Sequence, residues 1–148
     1  MKITVINGAN INMLGIREPD IYGSENYNTL VKTVEDYSRE NDIDIDIYQS
    51  NHEGDLVDKI QSCYQKSDGI VINPGAYTHT SVALLDALKA VSIPSVEVHI
   101  SDVPSREDFR QISYIRPACK KTITGHGIAG YVEAIEFLQK FITESKEK

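Results

Sequence analysis

Apolar positions recur with two periods along the chain, and the periods trade places. Lys2-Ile-Thr-Val-Ile is a short apolar run that predicts a buried strand over about residues 2–7. Asn28 or Thr29 can cap a helix that carries Leu30, Val34 and Tyr37 on one face and ends at Asn41-Asp42. Ile43 to Tyr48 alternates with period two, so the second strand has one polar face or lies at a sheet edge. A second helix, about Asp55 to Gln65, places Leu56, Ile60 and Cys63 on one side. Gly69 to Asn73 is continuously apolar and predicts a central strand. A third helix runs from about Ser81 through Leu84, Leu85 and Leu88 to Ala90, and Ser95 to Ile100 follows as a fourth strand behind Pro94. Lys121 to Thr124 predicts the fifth. Tyr131, Ile135, Leu138 and Ile142 keep helical spacing in the last helix, and the charged tail Glu144 to Lys148 is expected to fray.

Five strands alternating with helices predict a single α/β domain over residues 1–148, an open parallel sheet with helices on both faces. Right-handed crossovers restrict the topology, and the flavodoxin-like order 2-1-3-4-5 satisfies them. Ligands in such sheets bind beyond the carboxyl ends of the strands, at the switch point between strands one and three. Here those ends are Asn7-Gly-Ala-Asn10 and Asn73-Pro-Gly-Ala-Tyr-Thr-His79, with His99-Ile-Ser101 alongside. The stretch Asn7 to Gly23 is too polar and glycine-rich to continue a strand, and Gly15, Pro19 and Gly23 give it the composition of a binding or covering loop.

Composition narrows the partners. The 148 residues suit one domain that buries roughly 70% of its unfolded surface. A net charge of −7 excludes a broad nucleic-acid or anionic-membrane surface. An anionic small molecule then needs a local cluster of cations, which Arg106 and Arg110, four apart, can supply. No apolar run approaches the roughly eighteen residues of a membrane span. Cys63 and Cys119, without a leader sequence ahead of them, point to reduced thiols in a cytoplasmic protein, acting as small apolar fillers.

Two pairs carry candidate chemistry. Tyr22 has Arg17 five residues before it, and a guanidinium close to a phenol favours the phenolate, a usable base. The plain alternative is a surface loop whose tyrosine packs and whose arginine is solvated. His99 can act as a general acid with Glu97, on the same strand face, orienting it; a core histidine beside a strand is the other reading. Gly125-His-Gly-Ile-Ala-Gly130 fits a dinucleotide-binding pattern, but it follows the last strand with none downstream, so a tight turn with close helix packing fits better. His52, His79, His99 and His126 show no metal-ligand spacing, and no G-x-S-x-G elbow is present, which leaves no metal site and no serine nucleophile to expect.

Several stretches together resemble one family from end to end, the type II 3-dehydroquinate dehydratases. They are Asn7-Gly-x-Asn-x-Asn-x-Leu-Gly-x-Arg-Glu-Pro-x-x-Tyr-Gly23, Gln49-Ser-Asn-x-Glu-Gly54, Ile72-Asn-Pro-Gly-Ala-Tyr-Thr-His-Thr-Ser81, Glu97-Val-His-Ile-Ser101, Arg106-Glu-x-Phe-Arg110 and Gly125-x-Gly-x-x-Gly-Tyr131. The resemblance implies a cofactor-free anti elimination of water from 3-dehydroquinate through an enolate, in the shikimate pathway. It implies Tyr22 as tyrosinate base held by Arg17 and Arg110, Asn10 holding a water on the enolate oxygen, and His99, oriented by Glu97, as acid. Asn73, His79, Arg110, Ile100 and Ser101 would grip hydroxyls and carboxylate, and the segment from Arg17 to Tyr22 would close over them. It also implies trimers grouped into a homododecamer, with Asp86 reaching a neighbouring subunit's site.

The chain departs from the usual pattern at Ala9 (proline), Asp102 (asparagine) and Gln111 (histidine). None is an acid or base in that scheme, though Asp102 sets a negative charge beside the expected carboxylate site. An FMN-carrying relative of the fold would need a hydroxyl-rich phosphate loop, and a phosphoacceptor module would need aspartates at strand ends that here are Asn7 and Asn73.

Overall fold

The computed structural model describes residues 1–16 and 25–147. Five strands, β1 (Lys2–Asn7), β2 (Asp44–Gln49), β3 (Gly69–Asn73), β4 (Ser95–His99) and β5 (Lys121–Thr124), form one sheet in the order β2-β1-β3-β4-β5, every pair parallel. Four α-helices, α1 (Tyr27–Glu40), α2 (Glu53–Ser62), α3 (Val82–Val91) and α4 (Ala129–Lys146), alternate with them. This is the flavodoxin-like order expected from the sequence.

The strand period splits the core into two layers. Ile70 and Ile72, with Ile6, meet Leu56 and Ile60 of α2 and Leu84 and Leu88 of α3. Val71, with Ile3, Val5, Val96 and Val98, faces the other way and meets Leu30 and Val34 of α1 and Tyr131, Ile135 and Leu138 of α4. Each such aliphatic side chain contributes roughly 1.5–3 kcal/mol by leaving water, so the sheet is clamped from both faces. β2, whose apolar positions alternate, is an edge strand, as its pattern predicts. Among the described residues no helix is long and apolar enough to cross a membrane.

Several boundaries differ from the expected ones. Asn26 caps α1, its side-chain oxygen accepting from the Thr29 N–H at 2.9 Å and the Thr29 hydroxyl at 3.0 Å; Thr29 sits three residues inside the helix rather than at the cap. α2 starts at Glu53 and stops at Ser62, because the chain turns there and Gln65 takes φ 60°. α4 continues to Lys146, so most of the charged tail is helical rather than frayed.

Two glycines bring the strand ends together. A Cβ on Gly8 would overlap the Pro74 carbonyl, and one on Gly75, at φ +66°, would overlap the Ala9 carbonyl. The loops leaving β1 and β3 therefore touch, as Gly8 N–H to Asn73 O at 2.8 Å also shows. That contact fixes two walls of the cavity at this end of the sheet.

Candidate active site

Strand alternation turns Val96 and Val98 toward α4, so Glu97 and His99 point to the opposite face of β4. Glu97 is fully buried. Its Oε2 accepts from His99 Nε2 at 2.5 Å, Ser113 Oγ at 2.8 Å, Arg116 Nη2 at 3.2 Å and Thr78 Oγ1 at 3.3 Å. Its Oε1 accepts from Arg116 Nε at 3.1 Å and Thr122 Oγ1 at 3.2 Å. Burial by itself raises a carboxyl's pKa, but the hydrogen bonds from His99, Arg116 and Ser113 outweigh it and bring Glu97 down to about 2. Glu97 is thus an anion at neutral pH. Because its carboxylate takes His99 Nε2, the Nδ1 of His99 is the ring nitrogen left to exchange a proton with the space in front of it.

That space is a cavity of about 220 Å³ beyond the carboxyl ends of β1, β3 and β4. His79 lines it as a neutral acceptor. Burial lowers its pKa, outweighing the opposing hydrogen bond to the Ile112 carbonyl, and the charges of His99 and Arg110 lower it further. Since a carbonyl only accepts, Nδ1 carries the proton toward Ile112 O at 2.7 Å, and Nε2 is left with a lone pair. Asn73 has its amide orientation fixed from behind: Oδ1 accepts from Gly75 N–H at 3.1 Å and Nδ2 donates to Tyr131 Oη at 2.9 Å. Tyr131, fully buried and with its phenol pushed up by burial, donates in turn to Asn7 Oδ1 at 2.6 Å. One Asn73 amide hydrogen remains for the cavity.

The rim is more open. Asn10, at φ 69°, immediately precedes the 3-10 turn Ile11–Met13, and its backbone N–H donates to Asn51 Oδ1 at 2.9 Å. Gln49 Nε2 reaches Gly8 O at 3.2 Å and Asn51 Oδ1 at 3.1 Å, so the loop after β2 props the loop after β1. Opposite, Arg106 Nη1 donates to Ser101 Oγ at 3.3 Å, and Arg110 Nε donates to Glu107 Oε2 at 2.7 Å. Ile100, Ser101, Arg106 and Arg110 all line the cavity.

Of the residues singled out from sequence, Asn10, Asn73, His79, His99, Ile100, Ser101 and Arg110 line one cavity, and Glu97 lies behind His99. Asp86 stands exposed on α3 and is not part of this lining. Tyr22 and Arg17 lie outside the described residues. Sequence reasoning missed Thr78, Ser113, Arg116 and Thr122 as partners of Glu97, and it assigned Tyr131 to the core without its polar role. The Gly125–Gly130 stretch is a tight turn: the Gly125 and Gly127 N–H groups donate to His99 O and Ile100 O, which braces the end of β4. The Cys119 thiol is pushed up to about 12, chiefly by burial, and is a poor nucleophile. Among the described residues no group of three or more His, Cys, Asp or Glu side chains is arranged to hold a metal.

Fold and site together define a flavodoxin-like α/β enzyme whose switch-point cavity carries a carboxylate-held histidine and two arginines. Residues 1–139 match the family described as Dehydroquinase class II, and the chain belongs to it. It is 53% identical over 144 residues to the 3-dehydroquinate dehydratase of Fusobacterium nucleatum, covering 95% of this chain and 98% of that one. Against the 3-dehydroquinate dehydratase of Caldicellulosiruptor saccharolyticus the identity is 51%, over 95% and 98% of the two chains. The crystal structure of the type II dehydroquinase from Butyrivibrio crossotus superposes with a TM-score of 0.93 at 55% identity, covering 94% of this chain and 97% of that one.

Proposed function

We propose that the chain dehydrates 3-dehydroquinate to 3-dehydroshikimate by anti elimination through an enolate, with no cofactor or metal. The observation that carries this reading is His99, held by a buried carboxylate and facing a cavity rimmed by arginines. Tyr22, as tyrosinate stabilised by Arg17 and Arg110, takes the proton alpha to the ketone. Asn10 holds a water on the enolate oxygen, where a positioned donor counts most. The enolate then expels the β-hydroxyl, which leaves as water with a proton from His99, while Glu97 balances the imidazolium. The spare Asn73 amide hydrogen and the His79 Nε2 lone pair meet substrate hydroxyls, and Arg110 with the Ile100-Ser101 segment meets the carboxylate. Asp86, exposed on α3, serves a neighbouring subunit's cavity within trimers that group into a dodecamer. Sedimentation of the active protein tests this, since a fully active monomer contradicts it.

Mixing the protein with 3-dehydroquinate should produce the ultraviolet absorbance of the conjugated enone. Tyr22→Phe should lose turnover and keep ligand binding, because only the base is removed. Near-normal turnover by that variant overturns the assignment of the base.

A further inference from the structure

Glu97 and His99 form a buried pair whose charge has to change during turnover. With His99 protonated, the pair is neutral; once the proton leaves, a lone buried anion remains, a costly state in a dry environment. The structure supplies a third charge. Arg116, on the segment leading into β5, forks across the Glu97 carboxylate, Nε to Oε1 at 3.1 Å and Nη2 to Oε2 at 3.2 Å. Its side chain is 46% exposed while Glu97 is fully buried, so the guanidinium links the carboxylate to solvent.

Thr78, Ser113 and Thr122 give neutral hydroxyls to Glu97. His79, on the turn after β3, is held neutral by burial, and the Cys119 thiol stays protonated. Arg106 and Arg110 lie at the cavity rim against Ser101 and Glu107 rather than on Glu97. Among the described residues, Arg116 is the permanent cation in contact with the carboxylate.

We propose that Arg116 is a positioning residue for the Glu97–His99 pair: it fixes the buried carboxylate as an anion and lets His99 release and regain a proton without leaving net negative charge in the core. With Arg116 the cluster passes from +1 to 0 when His99 gives up its proton; without it, from 0 to −1. Removing the guanidinium therefore favours the protonated imidazole. Its half exposure weakens the effect, which leaves about one pH unit, a tenfold change in the protonation equilibrium.

The inference deepens the reading of His99 as acid, and its test separates the two. The His99 ring is titrated by NMR in the whole protein, its signals assigned by their loss in His99→Asn. In Arg116→Gln, which keeps one donor for the carboxylate, the midpoint moves up by about one unit; in Arg116→Lys, which keeps the charge, it stays close to wild type. An unmoved or lowered midpoint in Arg116→Gln overturns the proposal, as does an equal displacement in both variants, which marks a packing effect. The alkaline limb of the pH–kcat profile should follow the NMR midpoint. A midpoint that moves while the limb stays counts against His99 as the acid and leaves the role of Arg116 standing.

Discussion

The floor of the cavity and its rim are built in different ways. Below, Glu97 takes hydrogen bonds from five side chains and Asn73 is locked through Tyr131 to Asn7, all on or beside buried strands. At the rim, Asn10 immediately precedes one short 3-10 turn and Arg110 ends another, and the Arg110 cation is tied to the exposed Glu107, whose carboxyl it holds below the usual range. A buried, saturated network costs nothing to organise at the moment of reaction, which suits groups that handle protons. A partly exposed arginine on a turn suits capture of a charged molecule, where reach matters more than fixed angles. The floor fixes the group that hands a proton to the leaving hydroxyl, and the rim captures the charged substrate and supports the groups at its ketone end.

The largest effect should come from breaking the floor. Glu97→Gln leaves His99 without its counter-charge, and kcat should fall by about 10²–10⁴ with a smaller change in KM. The same variant should also change acid stability. The folded pKa of Glu97, about 2, lies below the ordinary 4.5, so its stabilisation is complete above 4.5 and is lost as pH falls toward 2. That loss is on the order of 3 kcal/mol in the wild type. Urea midpoints measured from pH 5 downward should fall less steeply for Glu97→Gln.

Breaking the rim should be milder and of another kind. Arg110→Ala should raise KM about tenfold, the scale of one charge-assisted contact, reduce the salt dependence of kcat/KM, and lower kcat less than Glu97→Gln does, because Arg17 still supports the tyrosinate. Because Glu107 is half exposed and solvent screens its pair with the partly buried Arg110, the melting temperature should stay near that of wild type. A kcat collapse without any KM change would erase the distinction between the two regions.

The smallest effect concerns Ala9, between floor and rim. No hydrogen bond from its N–H is found among the described residues, so proline deletes none there. Ala9→Pro should stabilise the chain by roughly 0.4–1 kcal/mol by restricting the unfolded state, with activity within a few-fold. A lowered denaturant midpoint together with impaired turnover would show that this turn has been rebuilt around alanine.

These regions also differ in how legible they were. The sheet order followed from periodicity and crossover rules, and with it the gathering of Asn10, Asn73, His79 and His99 at one end of the sheet, because topology alone dictates which strand ends meet. The cap of α1 is not readable from sequence, because Asn26, Asn28 and Thr29 are all cap-forming residues and only one satisfies the geometry. The partners of Glu97 beyond His99 come from 16 to 25 residues away, and Tyr131 reaches Asn7 across 124. No local period encodes such pairings, and Arg116 in particular sits in a segment with no pattern. Tyr131 reads as helical core by spacing, and its hydroxyl matters only because Asn7 and Asn73 end neighbouring strands.

The central claim is that Glu97 and His99 act as one acid. A double-mutant cycle in kcat tests it most directly, comparing Glu97→Gln, His99→Asn and the pair on 3-dehydroquinate. If the carboxylate works only through the imidazole, the double variant is no slower than His99→Asn alone. Losses that multiply in the double variant would contradict the account, since Glu97 would then contribute to turnover by a route that does not pass through His99.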